Sequence, residues 1–272
     1  MTDQANRAKR FEALHRSGCI VIPNPWSVGS AKLLEGLGFQ ALATTSAGFA
    51  RSAGFNDYDL TRERVMAHVR EICTATGLPV SADLENGFGH RPEDCFETIR
   101  LGAEAGLVGG SIEDFTGTPG QQYPLEEAKA RVTAAVEAAR AQPFPFTLTA
   151  RAENYFTGTP DLADTIERLQ AYQEAGADVL YAPGLKTLDD IASVVSSVDK
   201  PVNVLIGPSE RRVSIAELAT LGVRRVSVGG VLANVAMDAL IKAARELLET
   251  GTFDFMSDLS PTQEIVELMF KR

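Results

Sequence analysis

The chain has 272 residues, 44% hydrophobic and 23% charged, with a formal net charge of −10 at pH 7. That balance is ordinary for a globular chain with a sizeable core, and with no basic run to neutralise phosphates it argues against a nucleic-acid partner. No apolar run approaches the ~20 residues that span a bilayer, and Met1 to Arg10 lacks the apolar segment of a secretory signal, so a cytoplasmic protein with no membrane partner is expected.

Residues 5 to 17 read as an opening helix, with Phe11 and Leu14 on one face and Gly18 as its stop. Short β-type runs then alternate with longer helical segments. The β-type runs are Cys19 to Pro23, Phe39 to Thr45, Pro79 to Asp83, Leu107 to Glu113, Phe146 to Arg151, Ala177 to Ala182, Pro201 to Leu205 and Val223 to Val228. The helical segments lie near 27–37, 61–76, 92–105, 124–140, 161–175, 187–197, 214–221 and 231–248. Thr61, Pro92 and Pro160-Asp161 supply start signals. Four joints repeat one device, a helix end followed by Gly and then a strand: Gly38, Gly106, Gly176 and Gly222.

Strands each separated by a helix imply parallel pairing and right-handed crossovers. Eight such units predict an α/β fold, a closed (β/α)8 TIM-type barrel, with an open doubly wound sheet as the alternative. No linker or composition shift divides the chain, so residues 1–272 are read as one barrel domain with 253–272 as a C-terminal helical extension. Within it, Pro261 to Arg272 carries Ile265, Leu268, Met269 and Phe270 on an amphipathic helix that would pack on its own barrel or on another subunit.

In such a barrel the active site lies at the carboxyl ends of the strands. Strand two ends at Thr45-Ser46-Ala47-Gly48 and leads into a long loop with Asp57; strand three delivers Asp83 and Glu85, strand four Glu113 and Asp114, strand five Arg151 and Glu153. Alternation along a strand points Asp83 and Glu85 the same way. Adjacent carboxylates repel unless a proton or a cation joins them, although an isolated Asp-x-Glu also suits a solvated strand end. Every candidate ligand is an oxygen, which favours Mg2+ or Mn2+ over zinc. Cys19, Cys73 and Cys95 show no Cys-x-x-Cys spacing and suggest reduced thiols. Arg151 suits either a bidentate grip on a substrate carboxylate or phosphoryl group or a structural ion pair. Thr45, Ser46 and Ala47 could present hydroxyls and amides to a second anionic end. His90 is either an acid–base group or surface; Gly229-Gly230 could form a phosphate site at a helix start. His15 and His68, on predicted helices, carry no assigned role.

The string Asp83-Leu-Glu-Asn-Gly-Phe-Gly89, followed by Ile112-Glu113-Asp114 and Ala150-Arg151-Ala-Glu153, resembles the isocitrate lyase/phosphoenolpyruvate mutase superfamily. The likeness extends to Pro23-Asn24-Pro25-Trp26-Ser27 and to Ser46 through Asp57. It implies a barrel whose last helix is exchanged between subunits of a homo-oligomer, a dimer or tetramer, and a Mg2+ site for small 2-oxo carboxylates. By position, Asp83 resembles the direct metal ligand, and Asp57, Glu85 and Glu113 the acids that hold metal-bound waters. Arg151 resembles the substrate-neutralising arginine, and Thr45, Ser46 and Ala47 the grip on the α-oxo carboxylate.

The departures are as informative. The family lyases carry a gate-loop cysteine after strand four, whereas Phe115-Thr-Gly-Thr-Pro-Gly-Gln-Gln-Tyr123 has none; Pro119, Gln121 and Gln122 stand where the mutases place lysine and Asn-Ser; and Glu85 replaces the usual second aspartate. The expected activity is a Mg2+-dependent carbon–carbon lyase acting on a small 2-oxo acid through a metal-stabilised enolate. Arg151 and Glu113 would act in catalysis, with Tyr123, Glu153 or a metal-bound water carrying the proton. The alternatives are P–C bond chemistry, as in phosphoenolpyruvate mutase or phosphonopyruvate hydrolase, and a non-catalytic 2-oxo-acid binder.

Overall fold

The computed structural model describes residues 3–208 and 212–270, so Met1 and Thr2, and Lys271 and Arg272 at the end of the predicted extension, lie outside the described residues. The strands are β1 (Ile20–Val21), β2 (Leu42–Ala43), β3 (Val80–Asp83), β4 (Gly109–Glu113), β5 (Thr147–Arg151), β6 (Val179–Tyr181), β7 (Val202–Leu205) and β8 (Arg225–Ser227). Each falls inside a predicted run. All neighbouring pairs are parallel, and the order runs β1-β8-β7-β6-β5-β4-β3-β2. The two ends of that ladder meet, because the Ala43 amide donates to the Pro23 carbonyl at 3.1 Å and Asn24 Nδ2 donates to the Ala43 carbonyl at 2.9 Å. A doubly wound sheet would place its first strand inside the order. This ring is therefore a TIM-type barrel and the open-sheet alternative falls.

The helices are α1 (Asp3–Leu14), α2 (Val28–Gly36), α3 (Ser46–Ser52), α4 (Arg62–Ala75), α5 (Pro92–Glu104), α6 (Leu125–Arg140), α7 (Leu162–Glu174), α8 (Leu188–Ser196), α9 (Ile215–Thr220), α10 (Val231–Glu249) and α11 (Thr262–Phe270), with a 3-10 turn at Asp254–Asp258. Caps explain several starts. Ser27 and Ser30 form a reciprocal capping box at α2, and the Asp161 carboxylate accepts from the amides of Ala163 and Asp164 at α7. At the helix-to-strand joints, Gly106 (φ 108) and Gly176 (φ 103) take the left-handed conformation that the Gly device requires. α3 was not expected: its seven residues contain Gly48 and show no long apolar period, and the helix stands on the Thr45 cap, whose hydroxyl accepts from the Gly48 amide.

α1 closes the bottom of the barrel. Phe11 is fully buried, and a Cβ on Gly109 would stand 2.8 Å from its ring, so β4 carries glycine where the aromatic plug enters. His15 lies one residue past α1, not on a helix. Above the plug the interior is polar: Arg225 donates to Asn203 and to Thr149, each at 2.9 Å.

The two last helices behave differently from the rest. α11 packs on α2 of the same chain, with Lys32 Nζ 4.9 Å from the Phe270 ring centre. α10 buries only Ala233 and leaves Val235, Leu240, Ile241, Leu247 and Leu248 exposed, the last at 87%. No helix among the described residues is long and apolar enough to cross a membrane.

Candidate active site

Parallel strands bring their carboxyl ends to one mouth, and the register sets Glu113 opposite Arg151 and Arg151 opposite Tyr181. Arg151 is the hub. Its Nη1 lies 2.8 Å from Asp83 Oδ1 and 2.9 Å from Glu113 Oε2, its Nε donates to Glu153 Oε1 at 2.9 Å, and its guanidinium carbon sits 5.0 Å from the Tyr181 ring centre. Burial opposes a charge here, yet Glu113, Glu153 and Asp83 together hold the guanidinium proton well above its ordinary range. Ser46 donates its hydroxyl to Asp83 Oδ2 at 2.9 Å.

The acids around this hub are crowded. Burial pushes Glu85 up to about 8, with Asp83 and Asp57 adding to the shift. Burial likewise raises Glu113 well above the usual carboxylate range and Glu153 to about 7, with Arg151 opposing both shifts. Asp57 is exposed at the rim, but partial desolvation and the Asp83 charge raise it too. Glu85 Oε1 and Glu113 Oε2 are buried without a hydrogen-bond partner; the 2.9 Å approach of Arg151 Nη1 to Glu113 Oε2 is an ion pair of poor hydrogen-bond geometry.

A cavity of about 790 Å3 opens over these groups. Of the predicted site residues, Thr45, Ser46, Ala47, Asp57, Asp83 and Arg151 line it, and Glu153 does as well. Glu85 and Glu113 lie behind the wall, each under 5% exposed. Strand alternation does not bring Asp83 and Glu85 to one face as expected, because β3 ends at Asp83 and Glu85 takes φ 49; Asp83 lines the cavity and Glu85 does not.

Two expected members of the mouth are elsewhere. Tyr123, expected as a proton carrier, does not line the cavity: it is 4% exposed, its hydroxyl meets His90 Nδ1 at 2.7 Å, and the Arg131 guanidinium stacks 4.1 Å from its ring centre. Asp114 alternates away from Glu113 and faces the helices, accepting from Tyr172 Oη at 2.5 Å, Arg168 Nη1 at 3.1 Å and Gln122 Nε2 at 2.8 Å. Gln122 thereby ties the end of the loop that follows β4 to the barrel wall. His90 is exposed and supports Tyr123, while His68 stacks on Phe49 with centroids 3.6 Å apart. Gly229 and Gly230 do line the cavity, with Gly230 capping α10.

Other residues of the site escape a reading of the chain. Tyr58 donates its hydroxyl to Glu113 Oε1, holds a left-handed φ of 67 and packs edge-on against Phe115. Burial, then the Glu113 charge, raises its phenol far above the ordinary range. Asn203, Arg225 and Lys186 also line the cavity. The only local hint for Tyr58 is an aromatic beside Asp57; its partner stands 55 positions away.

The donor set is oxygen only, and among the described residues no group of three or more His, Cys, Asp or Glu side chains converges on one point. A hard cation that keeps most of its waters fits such a set, with the Asp57 and Asp83 carboxylates lining the cavity and Glu85 Oε1 behind its wall an acceptor that no protein group satisfies.

Residues 11–248 match the family model described as phosphoenolpyruvate phosphomutase. The chain is 30% identical over 237 residues to an uncharacterized protein of Mycobacterium tuberculosis, covering 86% of this chain and 87% of that one. It is 30% identical over 229 residues to an oxaloacetate decarboxylase of Rhodopseudomonas palustris (strain BisA53), covering 81% and 75%. A crystal structure from Burkholderia cenocepacia J2315, described as that of a candidate lyase/mutase, superposes with a TM-score of 0.95 at 53% identity, covering 98% of this chain and 97% of that one. With the barrel, the strand-end acids and Arg151 in place, the chain belongs to the phosphoenolpyruvate phosphomutase family.

Proposed function

We propose that the protein is a Mg2+-dependent carbon–carbon lyase that acts on a small 2-oxo dicarboxylate or a related acid. The observation that carries the reading is the Arg151 hub: one guanidinium drawing acids from three strand ends together under a cavity lined by Ser46 and Asp83. Asp83 would hold the ion directly, with Asp57, Glu85 and Glu113 orienting its waters. When bound, Mg2+ supplies Lewis-acid stabilisation of negative charge on the reacting oxo group.

The chain's own residues then divide the work. Thr45, Ser46 and Ala47, at the start of α3, present hydroxyls and amides to the α-oxo carboxylate. Arg151 neutralises charge that develops as the bond breaks. Glu153, which lines the cavity and is raised to about 7, is placed to hold or return a proton at neutral pH. With Tyr123 out of the cavity, Glu153 is preferred to it for that role. The similarity to an oxaloacetate decarboxylase supports a lyase of this kind.

Assay with Mg2+ against oxaloacetate, 2-methylisocitrate and substituted malates tests the reading, and no turnover of any of them removes it. The phosphomutase family match favours P–C chemistry as the second reading; a moved phosphorus NMR resonance on incubation with phosphonopyruvate or phosphoenolpyruvate would replace the first with it. The exposed apolar face of α10 supports a homo-oligomer in which this helix is covered by another subunit. Light scattering coupled to gel filtration distinguishes that from a monomer. The three free cysteines are in keeping with a reducing cytoplasm.

A further inference from the structure

Arg131 is a charged residue on the buried face of α6. It is 1% exposed, no carboxylate lies within ion-pair distance of it among the described residues, and its Nε and Nη1 have no hydrogen-bond partner. A guanidinium buried without an acid is costly, so the contacts it does make need an explanation. Its Nη2 donates to two backbone carbonyls of the segment after β3, Asn86 and Gly89, the latter at 2.8 Å. Its flat face stacks on Tyr123, the residue that closes the segment after β4.

The segment it grips is the one that carries Glu85. There two non-glycine residues, Glu85 (φ 49) and Phe88 (φ 57), occupy the left-handed region, a conformation that persists only where surroundings impose it. Three carbonyls of the turn, those of Asn86, Gly87 and Gly89, take donors from side chains of the surrounding helices. Gly87 O accepts from Arg62 Nη2 at 3.1 Å and Thr98 Oγ1 at 2.8 Å, Asn86 O accepts from Arg131 and, weakly, from Cys95 Sγ at 3.5 Å, and Gly89 O accepts from Arg131. Tyr123 is held in turn: its carbonyl accepts from Arg168 at 2.9 Å and its hydroxyl meets His90 and Asn86.

We propose that Arg131 is a positioning residue, clamped on Tyr123, that imposes the left-handed turn at residues 85–88 and so keeps the Glu85 carboxylate beside Asp83 and Asp57. It acts from the far side of the wall and touches no substrate. The functional half of this inference rests on the proposed Mg2+ site; the conformational half does not.

The test compares wild type with Arg131→Met, Arg131→Lys and Tyr123→Leu by hydrogen exchange, Mg2+ calorimetry and steady-state kinetics. In Arg131→Met and Tyr123→Leu, the amides of residues 84–91 should exchange at least tenfold faster while those of β5 and β6 keep their protection. Mg2+ should bind Arg131→Met at least fivefold more weakly. Arg131→Lys, which can reach a carbonyl but has no planar face, should fall between wild type and Arg131→Met. Unchanged exchange at 84–91, or an equal rise throughout the barrel, overturns the proposal. If Arg131→Met does not fold, Tyr123→Leu decides by the same criterion. Altered exchange with unaltered Mg2+ affinity overturns the role toward Glu85, whereas a wild type inert toward every oxo acid overturns the proposed function and leaves the exchange result standing.

Discussion

Arg151 Nη1 stands 2.8 Å from Asp83 Oδ1, joining β5 to β3 across the intervening β4. The same carboxylate takes the Ser46 hydroxyl on its other oxygen, so both oxygens of the group proposed to hold the cation already have partners in the protein. A cation entering here must compete with a guanidinium for Asp83. That makes the pair the most informative place to perturb the site.

Asp83→Ala removes both the proposed ligand and a partner of Arg151. Calorimetry should show Mg2+ affinity reduced by a factor of 100 or more, and turnover should be lost. If Mg2+ and oxo-acid affinities are both untouched, Asp83 is not the centre of the site.

Arg151→Lys keeps a charge but loses the planar fork that meets Asp83, Glu113 and Glu153 at once. The kcat/KM should fall roughly 100-fold or more, in the range seen when one charge-stabilising donor is lost. Chemical denaturation should also show reduced stability, since Glu113, with a side chain 1% exposed, would be left with weaker compensation. A lysine variant with normal kcat/KM would contradict the substrate-neutralising role.

His68 supplies a pH signature away from the site. It is 7% exposed, its Nε2 has no partner, and burial lowers its pKa to about 4. The folded pKa lies below the unfolded value of about 6.5, so the unfolded chain binds the proton more readily and stability falls as pH drops from about 6.5 toward 4. The contribution is at most about 3 kcal/mol across that window. Glu85 and Glu153, raised from 4.5 to about 8 and about 7, act with the opposite sign, losing stability as pH rises from about 4.5 to those values. His68→Gln isolates the first effect: the denaturation free energy of wild type minus that of the variant, taken at each pH, should fall as pH drops from 6.5 to 4, and a difference that does not change with pH would exclude it.

Gly36→Ala probes the docking of α11. A Cβ on Gly36 would collide with the backbone carbonyl of Leu268, which no side-chain rotation relieves. The expected cost is about 1–3 kcal/mol, accompanied by faster protease cleavage in the 250–261 connection. Unchanged stability and cleavage would mean that α11 does not rest on α2 in solution.

The eight βα units were legible because each rests on a local pattern. The run from Phe146 to Arg151 is apolar and ends in a charge, and it is β5; Gly106 and Gly176 follow helices, and each takes the left-handed turn into a strand. α3 was hidden because seven residues containing a glycine carry too little periodicity, and its start is visible only once the Thr45 hydroxyl is seen on the Gly48 amide. Tyr123 looked catalytic from its place at the end of the segment after β4, but Arg131, on the next helix, turns its ring into the wall.

What the chain by itself determined was the alternation of strand and helix and the placing of charges at strand ends, since backbone periodicity and glycine turns act over a few residues. Which of those charges meet was decided only by the closed barrel. Glu113 faces inward to Arg151 and Tyr58 while its neighbour Asp114 faces outward to Arg168 and Tyr172. That division depends on how eight strands are tilted and registered around a common axis, a geometry set by packing among elements up to 210 positions apart, as His15 and Arg225 are.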